Sequence, residues 1–171
     1  TMDPIYEVLS SLNMPILVHA GDVRYDFSGP KRIANVLDKH PKLKVIAAHF
    51  GGYTEWDASF EYLAGRDVWF DTSSTLWKLD VETAKKIMDK HGIEKFLFGS
   101  DFPMWDHLDE MKRFEKLGLT GEDRDLVLYK NVKILDLNSY VTEWGGEEIG
   151  VTEVIIKKDI RGDTIIEFDR N

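Results

Sequence analysis

Cysteine is absent from the 171 residues, so the chain forms no disulfide, offers no thiolate to a metal and carries no cysteine nucleophile. Any transition-metal site must therefore be built from His, Asp and Glu. A cationic surplus is absent too. The 22 Lys and Arg face 31 Asp and Glu, a net charge of −9, and nucleic acid is not an expected partner. No apolar run approaches bilayer length, so no membrane partner is expected. No charged-then-apolar leader opens the chain, which with the missing cysteines points to the cytoplasm. The first residue is Thr1, not Met, so the chain is not expected to start where its gene does. Neither G-x-G-x-x-G nor a Walker pattern occurs, which argues against a phosphate-cradling loop.

What is present is a soluble, globular composition, 43% hydrophobic and 31% charged, in a chain long enough for a real core. Apolar residues at helical spacing predict helices over 4–13, 30–40, 53–65, 80–91, 106–117 and 121–137. Between the first five lie four short apolar runs: "PILVHAGD", "LKVIAAHFGG", "VWFDTSS" and "KFLFGSDFP". Strands that are apolar on both faces and alternate with amphipathic helices predict a parallel sheet with right-handed crossovers, an α/β fold. No Gly/Ser/Pro-rich linker interrupts residues 3–137. Two β-rich runs follow, around Arg161-Gly162-Asp163, and predict a C-terminal β-hairpin extension over 138–171. Gly-Asp there is read as turn chemistry, not as part of an adhesion tripeptide.

Each of the four strands ends on a polar residue: His19, His49, Asp71 and Asp101. In a parallel sheet all four carboxyl ends share one edge, where α/β folds place ligands and barrels place active sites. Imidazole and carboxylate suit zinc, manganese or iron(II), and a metal there would polarise an oxygen or acidify a bound water. Asp101 has two roles open to it, ligand or base. Asp71 in "DTSS" also reads as a cap or turn. Asp22 and Arg24 are weak candidates to grip a substrate carboxylate, with solvated loop charges the competing reading. Trp105 is a candidate pocket wall and His107 a candidate support for the site. His40 and His91 sit at helix C-termini, where an imidazolium suits the dipole, and are read as structural. Tyr53, Trp56 and Phe60 have helical spacing and are expected in the core. Gly51, Gly52 and Gly99 are expected to leave room for a substrate.

"MPILVHAGD", "LKVIAAHFGG", "VWFDTSS" and "FLFGSDFP", in this order, resemble the amidohydrolase-related family, which includes the aminocarboxymuconate-semialdehyde decarboxylase type. "YKNVKILDL" resembles that family's closing helix, with Asn131 in the matching place. The resemblance covers residues 3–137 and implies a (β/α)8 TIM barrel with one divalent metal, zinc first and manganese second. It implies that His19 is a metal ligand on the fifth strand and that His49 activates water or contacts substrate on the sixth. Asp101, ending the eighth strand, would be a ligand and proton-transfer residue; Asp71 matches no required position. The family's first strand carries His-x-His, which this sequence lacks. A whole barrel takes about 250 residues, so the chain is expected to be a partial barrel, 1–137, holding the last four βα units.

Three functional readings stay open. One is a metal-dependent hydrolase of C–N or ester bonds, or a non-oxidative decarboxylase of a small carboxylic acid. Another is a non-catalytic half-barrel that needs a partner, either a second copy or a complementary half-barrel chain with His-x-His. The last is a metal-free α/β module that binds a small molecule.

Overall fold

The computed structural model describes residues 2–135 and the backbone of 151–158 and 164–170. The chain divides into two compact units, Thr1–Val132 and Lys133–Asn171. In the first, helices and strands alternate: α1 (Asp3–Ser11), β1 (Ile16–Val18), α2 (Pro30–Lys39), β2 (Val45–Ala47), α3 (Trp56–Tyr62), β3 (Trp69–Asp71), α4 (Val81–His91) and β4 (Phe96–Leu97). Next come α5 (His107–Glu115), α6 (Gly121–Asp125), a π-helical stretch (Leu126–Lys130) and α7 (Asn131–Ile134). The expected single helix over 121–137 is thus three segments as far as Ile134; residues 136 and 137 lie outside the described residues.

The four strands form one parallel sheet in the order β1-β2-β3-β4, as the alternating pattern predicts. The register pairs Leu17 with Ile46, Ala47 with Phe70 and Asp71 with Leu97. Local chemistry sets the helix ends. Pro30 opens α2, where its missing N–H costs nothing. The Asp80 carboxylate accepts from Thr83 N at 2.9 Å and caps α4, which closes on Gly92 at φ +99°. Asp106 caps α5 by accepting from Leu108 N at 2.8 Å.

The core is aromatic at its centre. Phe50, Phe70 and Phe96 are fully buried, and their rings meet edge-on or tilted at 4.9 and 5.6 Å. Asn131, also buried, donates through its amide to the carbonyls of Ile93 and Phe96, both at 2.8 Å, and ties α7 to the entry of β4. The α1 side differs. None of its residues is buried; Ile5, Val8 and the C-cap Leu12 are about half exposed, and Leu17 on the edge strand β1 is 63% exposed.

Two expectations are corrected. Phe60 is 40% exposed, and Tyr53 lies ahead of α3, so of the three aromatics at helical spacing Trp56 alone is buried. His91 is not an imidazolium at a solvated helix end. It is buried, stacks face to face on Phe70 at 3.9 Å and accepts from Gly65 N at 3.1 Å. Burial pushes its pKa down to about 4, with the nearby Lys95 charge acting the same way.

In the second unit β5 (Val151–Lys158) and β6 (Thr164–Arg170) pair antiparallel, with an irregularity between Val151 and Glu153. The Arg161-Gly162-Asp163 turn lies outside the described residues.

Two outcomes follow from this packing. His91 titrates near 6.5 when unfolded and near 4 when folded. Between those values only the unfolded chain takes the proton, so stability falls as pH drops from 6.5 to 4, by roughly 3 kcal/mol. Denaturant midpoints across that range should show the slope, and His91→Phe, which keeps the stack, should flatten it. Asn131→Ala should cost about 2–4 kcal/mol in urea unfolding, because it orphans two buried carbonyls.

Candidate functional site

Parallel pairing brings the strand ends together. His19 follows β1 directly, His49 lies two residues past β2, Asp71 closes β3, and Asp101 lies four residues past β4. An open cleft of about 590 Å³ is lined there by His19, His49, Asp71, Ser73, Gly99 and Asp101, among others. All four strand-end residues thus line one cleft.

The two imidazoles touch: His19 Nδ1 lies 3.0 Å from His49 Nε2, with the rings edge-on at 4.8 Å. His49 is 4% exposed and sits in a tight left-handed turn, with φ +62° at His49, +55° at Phe50 and +72° at Gly51. Non-glycine residues adopt such angles only where neighbours over-determine them. Here Asp71 Oδ1 accepts from His49 N at 2.9 Å, Phe50 N donates to Asp71 O at 2.8 Å, and Trp56 Nε1 donates to His49 O at 3.1 Å. Ser59 Oγ donates to Phe50 O at 2.6 Å.

Asp101, at φ +57°, accepts from Ser74 Oγ at 2.5 Å. Ser74 is itself left-handed at φ +47°, and its carbonyl accepts from Trp77 Nε1 at 2.9 Å. Behind it the buried Glu110 pairs with Arg113. Burial pushes the Glu110 carboxyl above the ordinary range; Arg113 opposes the shift and the Asp101 charge adds to it.

The remaining candidates stand apart from the cleft lining. Asp22 accepts from Arg24 at 2.7 Å, and that pairing holds its carboxyl down at about 2. Arg24 thus spends its fork on a neighbour. Trp105 stacks on Trp77 at 5.9 Å, with the Arg113 guanidinium 4.4 Å from its ring centre. His107 is the exposed first residue of α5, its ring 6.4 Å from that of Phe102. Tyr53, read from sequence as core, instead sets its ring 5.8 Å from His19 and 5.5 Å from His49. Its helical spacing to Trp56 concealed that position. The glycine expectation is corrected as well. A Cβ on Gly51 would lie 2.4 Å from the Phe70 ring, and one on Gly52 would lie 2.9 Å from Glu55 O, so at these two protein fills the space, whereas Gly99 does line the cleft.

Chemically, the cleft offers two imidazoles and two carboxylates, one of them, Asp71, already accepting three hydrogen bonds; such donors suit a divalent cation in kind. Among the described residues, however, no three His, Asp or Glu side chains converge to hold one. The ligands that the resemblance implies, His19 and Asp101, would number two, where a catalytic zinc site takes three from protein.

The family model described as Amidohydrolase matches residues 1–132. The chain belongs to the amidohydrolase family. Solved structures add the fold. An uncharacterized TIM-barrel protein from Bordetella bronchiseptica aligns with TM-score 0.63 at 18% identity, over 78% of this chain and 49% of that one. A putative 2-pyrone-4,6-dicarboxylic acid hydrolase from Pseudomonas putida aligns at 0.58 and 19%, over 78% and 55%. A dihydroxybenzoic acid decarboxylase from a Polaromonas species, solved with bound manganese and an inhibitor, aligns at 0.57 and 19%, over 77% and 52%. The chain thus spans about half the length of these structures. No curated protein matches the sequence significantly.

Gly51→Ala tests the packed turn. The substitution puts a methyl into the Phe70 ring at a left-handed φ. It should destabilise the chain by roughly 2–4 kcal/mol in thermal or urea unfolding.

Proposed function

We propose that this chain is the part of a metal-dependent amidohydrolase that carries the fifth to eighth strands of a (β/α)8 barrel over residues 1–137, followed by a hairpin extension. The activity is hydrolysis of a C–N or ester bond, or non-oxidative decarboxylation of a small carboxylic acid. The observation that carries this reading is the meeting of His19, His49 and Asp101 at one cleft on the carboxyl edge of a parallel sheet. Family membership over residues 1–132 supports the same reaction class.

His19 and Asp101 are the proposed metal ligands, with zinc or manganese as the metal. A cation held there needs donors from outside the described residues. Its chemistry, when bound, is Lewis acidity toward a substrate oxygen. His49 presents a ring nitrogen at the cleft and is the proposed group that activates water or contacts the substrate. Asp101, exposed at the rim, is the proposed proton carrier. Asp22, Arg24, Trp105 and His107 are kept as weak substrate contacts only.

The open side of the sheet favours a supplementary reading, that the site is completed by four further βα units, on the same polypeptide or another. Among the described residues β1 has one strand neighbour, Leu17 projects 63% exposed, and Ile5 and Val8 of α1 and Leu12 at its end are exposed. The solved barrels carry about as much chain again as the part matched here. An unpaired parallel edge beside an uncovered apolar helix is what a further βα unit would bury.

Calorimetric titration with Zn2+ and Mn2+ tests the ligand assignment. Weak binding of one ion per chain is expected, falling by more than ~10-fold in His19→Ala and in Asp101→Ala. Equal binding in wild type and both variants would overturn it.

A further inference from the structure

We infer that Asp71 and Ser73 are positioning residues that fix the orientation and the tautomer of His49. The inference rests on the reading of His49 as the group that activates water or contacts the substrate, and it assigns a role to a strand end that the family resemblance leaves without one.

The geometry is a closed set of hydrogen bonds. His49 Nδ1 lies 2.9 Å from the Ser73 carbonyl oxygen and 3.0 Å from Ser73 Oγ. A carbonyl has only lone pairs, so a neutral His49 satisfies it only with the proton on Nδ1. Ser73 Oγ lies 2.6 Å from Asp71 Oδ1, an acceptor, so its own proton goes to the carboxylate and a lone pair faces His49 Nδ1. Both contacts demand the same tautomer. Nε2 is then the bare nitrogen, and it is Nε2 that faces His19 Nδ1 across the cleft at 3.0 Å. His19 donates and His49 accepts.

Asp71 governs the backbone as well as the ring. Its Oδ1 accepts from His49 N at 2.9 Å and from Ser73 N at 3.0 Å, in addition to Ser73 Oγ. One buried oxygen thus holds the left-handed turn that aims His49, and also orients the serine that reads its proton. Asp71, Ser73 and His49 are all buried, which strengthens these bonds. As a turn carboxylate Asp71 bonds Ser73 N two residues on; it also reaches 22 residues back to the end of the neighbouring strand, which a turn alone does not require.

All three contacts use Oδ1, which sharpens the test. Asn keeps a carbonyl oxygen at that place and Ala does not. The measurement is long-range nitrogen–proton correlation NMR of the metal-free, nitrogen-15-labelled chain at neutral pH, with His49 assigned against His49→Gln. In wild type His49 should carry its proton on Nδ1 with Nε2 bare. Asp71→Ala should give mixed tautomers, and Asp71→Asn should restore the wild-type pattern. A wild-type proton on Nε2, the wild-type pattern surviving in Asp71→Ala, or its loss in Asp71→Asn would each overturn the inference. Where Asp71→Ala fails to fold, the wild-type and Asn measurements still decide. No metal enters the experiment, so failure of the metal-ligand reading leaves this result standing, and the reverse holds too.

Discussion

Parallel pairing of neighbouring strands is the constraint on which the rest of this molecule depends. Because β1 to β4 run the same way and in chain order, every strand delivers its last residues to one edge. Residues 30 or more apart in sequence, such as His19 and His49, reach hydrogen-bond distance without any specific attraction between them. The helices serve that pairing. They cover the sheet with an aromatic and aliphatic core, and the Phe50, Phe70 and Phe96 rings lock neighbouring strands together directly beneath the cleft.

At the edge itself the backbone turns sharply, and the strain is matched by buried polar contacts. His49, Phe50, Ser74 and Asp101 all hold positive φ. The run Asp71–Thr75 is buried throughout and polar throughout, an unaffordable composition for a loop unless each group is paired. It is paired on both sides. Asp71 and Ser73 bond toward β2 and His49, while Thr72 and Ser74 bond toward Gly99 and Asp101. The end of β3 therefore works as a template between the two neighbouring strand ends.

The same sheet has an unequal pair of edges. At β4, Phe98 N donates to Val127 O from the π-helical stretch at 2.9 Å. At β1 no such cover appears among the described residues, and apolar side chains of α1 face outward beside it. This asymmetry agrees in sense with the half-length match to TIM-barrel structures.

The order of elements, the parallel sheet, the family and the strand-end positions of His19, His49 and Asp101 were legible in the sequence. Each depends on periodicity or on short motifs, which are local properties. Three things were decided only in the tertiary structure. His91 became a neutral core ring, because Phe70 came to stack on it. Tyr53 moved from a supposed core stripe to the histidine pair, because α3 starts three residues later than the periodicity implies. Asp71 keeps its turn bond to Ser73 and also organises His49, because its further partner lies at the end of the neighbouring strand. Periodicity locates a side chain on its own element. Which neighbour it meets across the sheet is set by register, and register exists only once the strands have paired.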